Sequence, residues 1–313
     1  MLALQKHVIL RRPRRGRLEG RTAADLVDLR ALNSAPRRAV GGCQRIASAL
    51  LCGLLLCGGP AAAQPSDTVD RSELKVCADP SNLPFSDEKK EGFENKIAEL
   101  MGGELGLKVD YAWFPQIIGF VRNTLRAHLC DLVMGTVAGD EIMQTTNPYY
   151  FTTYVMFYRS DKDLAVEGVQ DARLTRLRLG VVAGTPPADL LVRHDLMSHT
   201  KPYALTVDTR AESPTHQMVQ DVVDGTIDVG FLWGPIAGYF RKHDDLPLIL
   251  VPIKDEPGAA RMEYHIAMGV RGSEPEWRRR INAAILKRQG DITAILRDYG
   301  VPLLNEQGEL AGP

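Results

Sequence analysis

The stretch Asp228-Val-Gly-Phe-Leu-Trp-Gly-Pro-Ile-Ala-Gly-Tyr-Phe240 joins a strand to a helix with almost nothing between them. Ile227 to Leu232 reads as a strand, apolar from Val229 onward. Pro235 stands where a helix tolerates proline, in its first turn, so Pro235 to Arg241 reads as the helix and Trp233 falls at the strand's end. The same unit recurs upstream. Leu177–Val182 reads as a strand leading through Gly184-Thr185-Pro186-Pro187 into a helix start, and an Ala204–Val207 strand precedes a Ser213–Val223 helix. Nearer the N-terminus, Leu74–Asp79, Lys108–Trp113 and Asp131–Thr136 read as strands, with helices expected at Phe93–Leu105 and Gly119–Leu129 and a loop at residues 80–85. Strands alternating with helices predict an α/β fold with parallel sheets covered on both faces and ligands held beyond the strands' C-terminal ends.

Phe151–Arg159 is β-branched and aromatic with no helix behind it, which makes it a crossover into a second domain. Leu248–Val251 and Tyr264–Val270 can carry the chain back, and Arg278–Tyr299 supplies terminal helices. The expected plan is bilobal, with two parallel or mixed sheets flanked by helices and joined by two hinge segments. Residues 72–153 and 264–303 form lobe 1, residues 159–251 form lobe 2, and residues 304–313 are a tail.

Residues 1–63 read as a leader. A basic stretch with Arg37, Arg38 and Arg45, a short apolar run from Ile46 to Gly58, and Ala61-Ala62-Ala63 describe an export signal cleaved after Ala63, too short for a comfortable membrane span. The residues before Val40 are better explained by a start assigned too early than by a folded unit. Neither Cys52 nor Cys57 follows the small residue that lipoprotein processing prefers. The leader holds ten Arg and one Lys against three acids, so its removal takes the formal charge from −1 to −9. An acidic body argues against nucleic acid and anionic membrane surfaces as partners, and for a basic protein surface or a cation.

Cys77 and Cys130 remain after cleavage, in an export compartment that permits a disulfide. If their strands are adjacent, parallel and end at one cleft, Cys130 sits three residues below Cys77. That offset is about 10 Å, beyond the roughly 7 Å Cα limit of a disulfide, so two buried thiols are the expectation.

The motifs Asp79-Pro-Ser-Asn-Leu-Pro-Phe85, Gly92-Phe-Glu-Asn95, Cys130-Asp-Leu-Val-Met-Gly135, Asn147-Pro-Tyr-Tyr150 and Gly184-Thr185 resemble those of the amino-acid-binding branch of type II periplasmic solute-binding proteins, over about residues 72 to 303. A closer resemblance rests on Val76–Ser86, Gly92–Ala98, Gly119–Leu125 and Trp233–Phe240. It is to the quinoprotein-dehydrogenase-associated binding-protein family, which contains the J proteins of methanol-oxidation clusters. That resemblance implies a periplasmic accessory role beside a pyrroloquinoline-quinone (PQQ) alcohol dehydrogenase, in calcium- or lanthanide-dependent systems. The dehydrogenase, and with it its cytochrome c, are the partners implied.

Amino-acid receptors offer an Arg to the ligand carboxylate a few residues past the Gly-x-Thr that closes the third strand. In Gly135-Thr136-Val-Ala-Gly-Asp-Glu141 that place holds Glu141, and the acidic amine contact of lobe 2 is replaced by Trp233. A free α-amino acid loses both charge contacts, each worth about 2–5 kcal/mol if buried. The expected cleft set is Asp79, Asn82, Phe85, Glu94, Trp113, Arg122, Thr136, Glu141, Tyr149, Thr185, Trp233 and Pro235. Trp113 and Trp233, at strand ends of opposite lobes, suit a stacking surface, whereas Phe93, Phe114 and Tyr150 suit the core. Arg122 reaches the cleft or pairs with a neighbouring acid. Asp79, Glu94, Asp140 and Glu141 are read as solvated rim charges, with a hard-cation site as the weaker alternative. Free N–H groups after Gly184-Thr185 suit an anionic group or simply a capped helix.

No Gly-x-Ser-x-Gly elbow, phosphate loop or Cys-x-x-Cys-His haem site occurs, so no catalytic residues, cofactor or metal are assigned. Two functions compete: an accessory protein that docks on the dehydrogenase, opening at its hinges, and a transport receptor for a small-molecule ligand other than an ordinary amino acid.

Overall fold

The chain crosses between two lobes on one strand of sixteen residues, β6 (Gln144–Arg159). The computed structural model describes residues 71–205 and 213–311, so the leader and cleavage-site expectations lie outside the described residues. Before β6 come β1 (Glu73–Ala78), the short pair β2 (Ser81–Asn82) and β3 (Ser86–Asp87), α1 (Phe93–Leu105), β4 (Lys108–Trp113), α2 (Phe120–Asn123) and β5 (Leu132–Val137). After it come β7 (Leu179–Val182), α3 (Pro186–Arg193), β8 (Thr200–Tyr203), α4 (Pro214–Val223), β9 (Val229–Trp233), α5 (Gly234–His243), β10 (Leu248–Pro252), β11 (Glu263–Val270) and α6 (Pro275–Asp298).

The main sheet has the order β4-β1-β5-β11-β6-β9-β7-β8, with β10 pairing the far half of β6. β11 pairs β6 from Gln144 to Thr153, and β9 pairs it from Tyr154 to Phe157, so the lobes share this strand and part company between Thr153 and Tyr154. β1, β4 and β5 are mutually parallel, and β11 is antiparallel to both β5 and β6. β5 and β6 therefore point the same way, and the C-terminal ends of the lobe 1 strands face lobe 2. β9 is antiparallel to β6 and parallel to β7, so the lobe 2 strands end facing lobe 1. Two sets of strand-end loops thus confront each other, the arrangement in which α/β sheets hold ligands.

Helix caps follow the sequence rules. Ser213 accepts from His216 N ahead of Pro214, and prolines occupy the first turns of α3, α4, α5 and α6. Three expectations shift. The lobe 2 edge strand lies at Thr200–Tyr203, ahead of the expected Ala204–Val207, part of which lies outside the described residues. The terminal helical region is one continuous helix of 24 residues. The helix expected at Gly119–Leu129 ends after Asn123. Thr124 Oγ1 turns back to donate to Phe120 O, and His128 adopts a left-handed φ of 57°. The carbonyls of Leu125 and Cys130 are taken by the Arg271 guanidinium, so the backbone finds partners outside a helix.

The same turn overturns the expectation of free thiols. The inferred register is present, with Cys77 opposite Val133, but β5 begins only at Leu132. Cys130 lies before the strand, where the turn folds it back over β1, and the two Cα atoms are 5.3 Å apart in a Cys77–Cys130 disulfide. A strand running straight down to Cys130 would hold the two cysteines apart; the turn removes that offset. Around the disulfide pack Phe120, Val121, Leu125, Val133 and Met143.

Below it, Arg271 pairs with Asp131 at 2.7 Å and Glu274 at 2.8 Å, and Arg71 reaches the same two acids while lying 4.2 Å from the Trp277 ring centroid. Each side chain of this network is mostly buried, so losing one member strands the others without water.

Candidate functional site: the facing strand-end loops

The lobe 1 side is built by Asp79. Its carboxylate accepts from Ser81 N at 2.8 Å and Gln116 N at 2.5 Å, tying the loop after β1 to the loop after β4. Asn82 Nδ2 donates to Gln116 Oε1 at 2.9 Å and closes the same bridge. Short aspartates hold turns in this way because their oxygens reach backbone amides two residues on. Asp140 does likewise, accepting from Ile142 N and from Thr136 Oγ1. Asp79 and Asp140 are thereby committed to their own loops, while Glu141 is exposed. Among the described residues no three His, Cys, Asp or Glu side chains converge as a metal site.

Glu94 differs. It is the second residue of α1, its amide bonds Phe85 O, and its carboxylate lies over Gly135 so closely that a Cβ there would collide with Oε1. Burial pushes its carboxyl up to about 7, with nearby Asp79 adding to the rise. A side chain at position 135 would push the Glu94 carboxylate aside, so Gly135 leaves room for it.

The remaining expected residues separate into packed and accessible groups. Phe85 is buried, its ring 5.2 Å from that of Phe93. Tyr149 is buried and donates to Met134 O, burial holding its hydroxyl far above the usual tyrosine range. Thr185 turns its hydroxyl to Val182 O at the N-cap of α3, and Pro235 is buried in the first turn of α5. Trp113 is partly buried and stacks on Tyr111 at 4.6 Å. Arg122 is exposed on α2, nearest Asn123.

Trp233 is only 2% exposed. It sits opposite Tyr154 in the ladder, with the Tyr154 ring at 4.9 Å and the Tyr264 ring at 5.7 Å, and its Nε1 has no partner among the described residues. Both connecting strands and the end of β9 supply this aromatic trio, so the indole fills the junction between the lobes. Truncating it to Ala would cost about 3–5 kcal/mol through the cavity left behind, and would disturb the fold.

The accessible apolar surface lies elsewhere on the rim. Leu83 is 38% exposed, Ile117 44% and Ile118 78%, all on the two loops that Asp79 and the Asn82–Gln116 bond hold together. No charged residue occurs from Pro80 to Ser86 or from Phe114 to Gly119. The sequence signal was the Ile117-Ile118 doublet between Pro115 and Gly119, β-branched residues in a loop with no periodicity to bury them.

The family described as bacterial extracellular solute-binding proteins, family 3, matches residues 74–302. Protein MoxJ of Methylorubrum extorquens is 31% identical over 250 residues, covering 75% of this chain and 83% of that protein. Protein MoxJ of Paracoccus denitrificans is 28% identical over 266 residues, covering 80% and 96%. The crystal structure of the periplasmic binding protein XoxJ from Methylobacterium extorquens AM1 is similar with a TM-score of 0.64 and 39% identity, over 74% of this chain and all of that one. No helix among the described residues is long and apolar enough to cross a membrane.

Proposed function

The chain belongs to the bacterial extracellular solute-binding proteins, family 3, and from that premise we propose that it is a periplasmic, non-enzymatic accessory protein that docks on a PQQ-dependent alcohol dehydrogenase. The observation that carries this reading is an uncharged patch on the lobe 1 rim, where Leu83, Ile117 and Ile118 project from two loops pinned by Asp79. Rigid apolar groups lose little entropy on binding, and charge is depleted at the centre of protein interfaces. The contacts an amino-acid receptor needs are altered: Glu141 stands where a cation is wanted, and Trp233 is packed into the lobe junction. The likeness to MoxJ and XoxJ supports a partner in methanol oxidation, with the dehydrogenase's cytochrome c as a further candidate.

A second reading, a transport receptor for a small solute, draws on Glu94. Its buried carboxyl over Gly135 can accept from, or when protonated donate to, a polar group entering between the lobes. Calorimetric titration of the chain into apo-dehydrogenase separates the two. Saturable association is expected; absence of binding, with heat on addition of a small solute, would return the receptor reading to first place.

A further inference from the structure

α5 belongs to lobe 2, yet one face of it rests on the end of the lobe 1 helix α6 and the segment that follows. Gly234, Gly238 and Lys242 are four residues apart and share that face. A Cβ on Gly238 would run into Gly300 O, and a Cβ on Gly300 would run into Gly238 O, so the two backbones touch. Gly300 also needs its φ of 70° to turn the chain off α6. Pro302 then packs against Gly234, Thr152 Oγ1 donates to Pro302 O at 2.7 Å, and Leu304 N donates to Phe151 O at 2.9 Å. Lys242 Nζ reaches Arg297 O at 3.1 Å.

Tyr299 completes the joint. Its ring lies 6.0 Å from Phe93 of lobe 1 and 6.1 Å, nearly parallel, from Tyr239 of lobe 2, and its hydroxyl donates to Glu91 O. The segment therefore touches the crossover strand at Phe151 and Thr152, the helix of one lobe and the α1 entry of the other.

We propose that Tyr299–Leu304 is a strap that locks the two lobes in this arrangement, so that the cleft is a fixed surface and opens only if α5 slides off Gly300. Rotation at the junction of Thr153 and Tyr154 would have to part the Gly238–Gly300 contact, where neither backbone has a side chain to yield. The lock holds whatever occupies the cleft.

Hydrogen exchange followed by mass spectrometry on the full chain tests this. The junction amides, Leu304 N to Phe151 O, Tyr154 N to Met262 O and Ile253 N to Tyr154 O, should exchange as slowly as those within β1 and β7. In Gly238→Leu all three junction amides, and in a chain ending at Gly300 the remaining two, Tyr154 N and Ile253 N, should exchange at least about 10-fold faster while β1 and β7 keep their protection. Junction amides that already exchange faster than β1 and β7 in the unaltered chain would overturn the lock, as would variants whose junction exchange is unchanged. Tyr299→Ala leaves both glycines in place and serves if Gly238→Leu fails to fold; it should raise junction exchange by a smaller factor, and no rise would also overturn the proposal.

Discussion

Replacing Cys77 and Cys130 together by Ala removes a cross-link that spans 53 positions. On the chain-entropy account a loop of that length destabilises the unfolded state by about 4 kcal/mol. The surrounding side chains change little, because Phe120, Val121, Leu125, Val133 and Met143 still cover the site and only two buried sulfurs are lost. The expected loss is thus about 3–4 kcal/mol, felt most in the turn from Thr124 to Asp131, which the disulfide and Arg271 help fasten to the sheet. Urea unfolding can be followed by Trp277, a buried indole whose Nε1 donates to Asp131 O beside that turn. With a slope of about 2–3 kcal/mol per molar urea the midpoint should fall by roughly 1.5 M. A fall below about 0.5 M, or two titratable thiols in folded protein truncated to residues 64–313, would refute the reasoning.

Other consequences are as specific. Glu94, raised from 4.5 to about 7 by burial, binds its proton more tightly in the native state than in the unfolded one. Stability from this group is complete below about pH 4.5 and is lost as pH rises through 7, a fall of about 3 kcal/mol that Glu94→Gln should abolish in unfolding curves collected across that window. Arg271→Met should cost about 3–5 kcal/mol, since Asp131 and Glu274 lose a buried partner and the Leu125 and Cys130 carbonyls lose a guanidinium bond; a change under 1 kcal/mol in denaturant unfolding would show that the network is dispensable. Trp233→Ala should lower the thermal midpoint, whereas Ile118→Asp should leave it within about 1 °C, because one side chain is packed and the other is 78% exposed.

The bilobal α/β plan was legible because its signals are local. The β4 span Lys108–Trp113 and the α1 span Phe93–Leu105 follow from periodicity, and Pro186, Pro214 and Pro235 mark helix starts that the structure keeps. What escaped depends on contacts far apart in sequence. Arg271, 146 positions from Leu125, bonds the Leu125 and Cys130 carbonyls within the turn that follows the shortened α2 and brings Cys130 over Cys77. Trp233 looked available because it ends a strand. Its burial requires Tyr154 and Tyr264 to arrive from two other strands at once, which no window of sequence displays. Asp79 and Asn82 brace the loops they sit on, and Leu83, Ile117 and Ile118, exposed there, are aliphatic side chains that carry no charge or ring to mark them in the sequence.

The measurement that tests docking most directly is calorimetric titration of apo-dehydrogenase with the unaltered chain and with the Ile117→Asp/Ile118→Asp variant. Burying an isoleucine is worth about 1.5–3 kcal/mol, and these two are 44% and 78% exposed before any contact, so docking through them predicts a loss of about 2–3 kcal/mol, a 30- to 150-fold weaker complex, with unfolding unchanged. Equal affinity for both chains would contradict the rim as the docking surface, and no binding of either would contradict the accessory role itself.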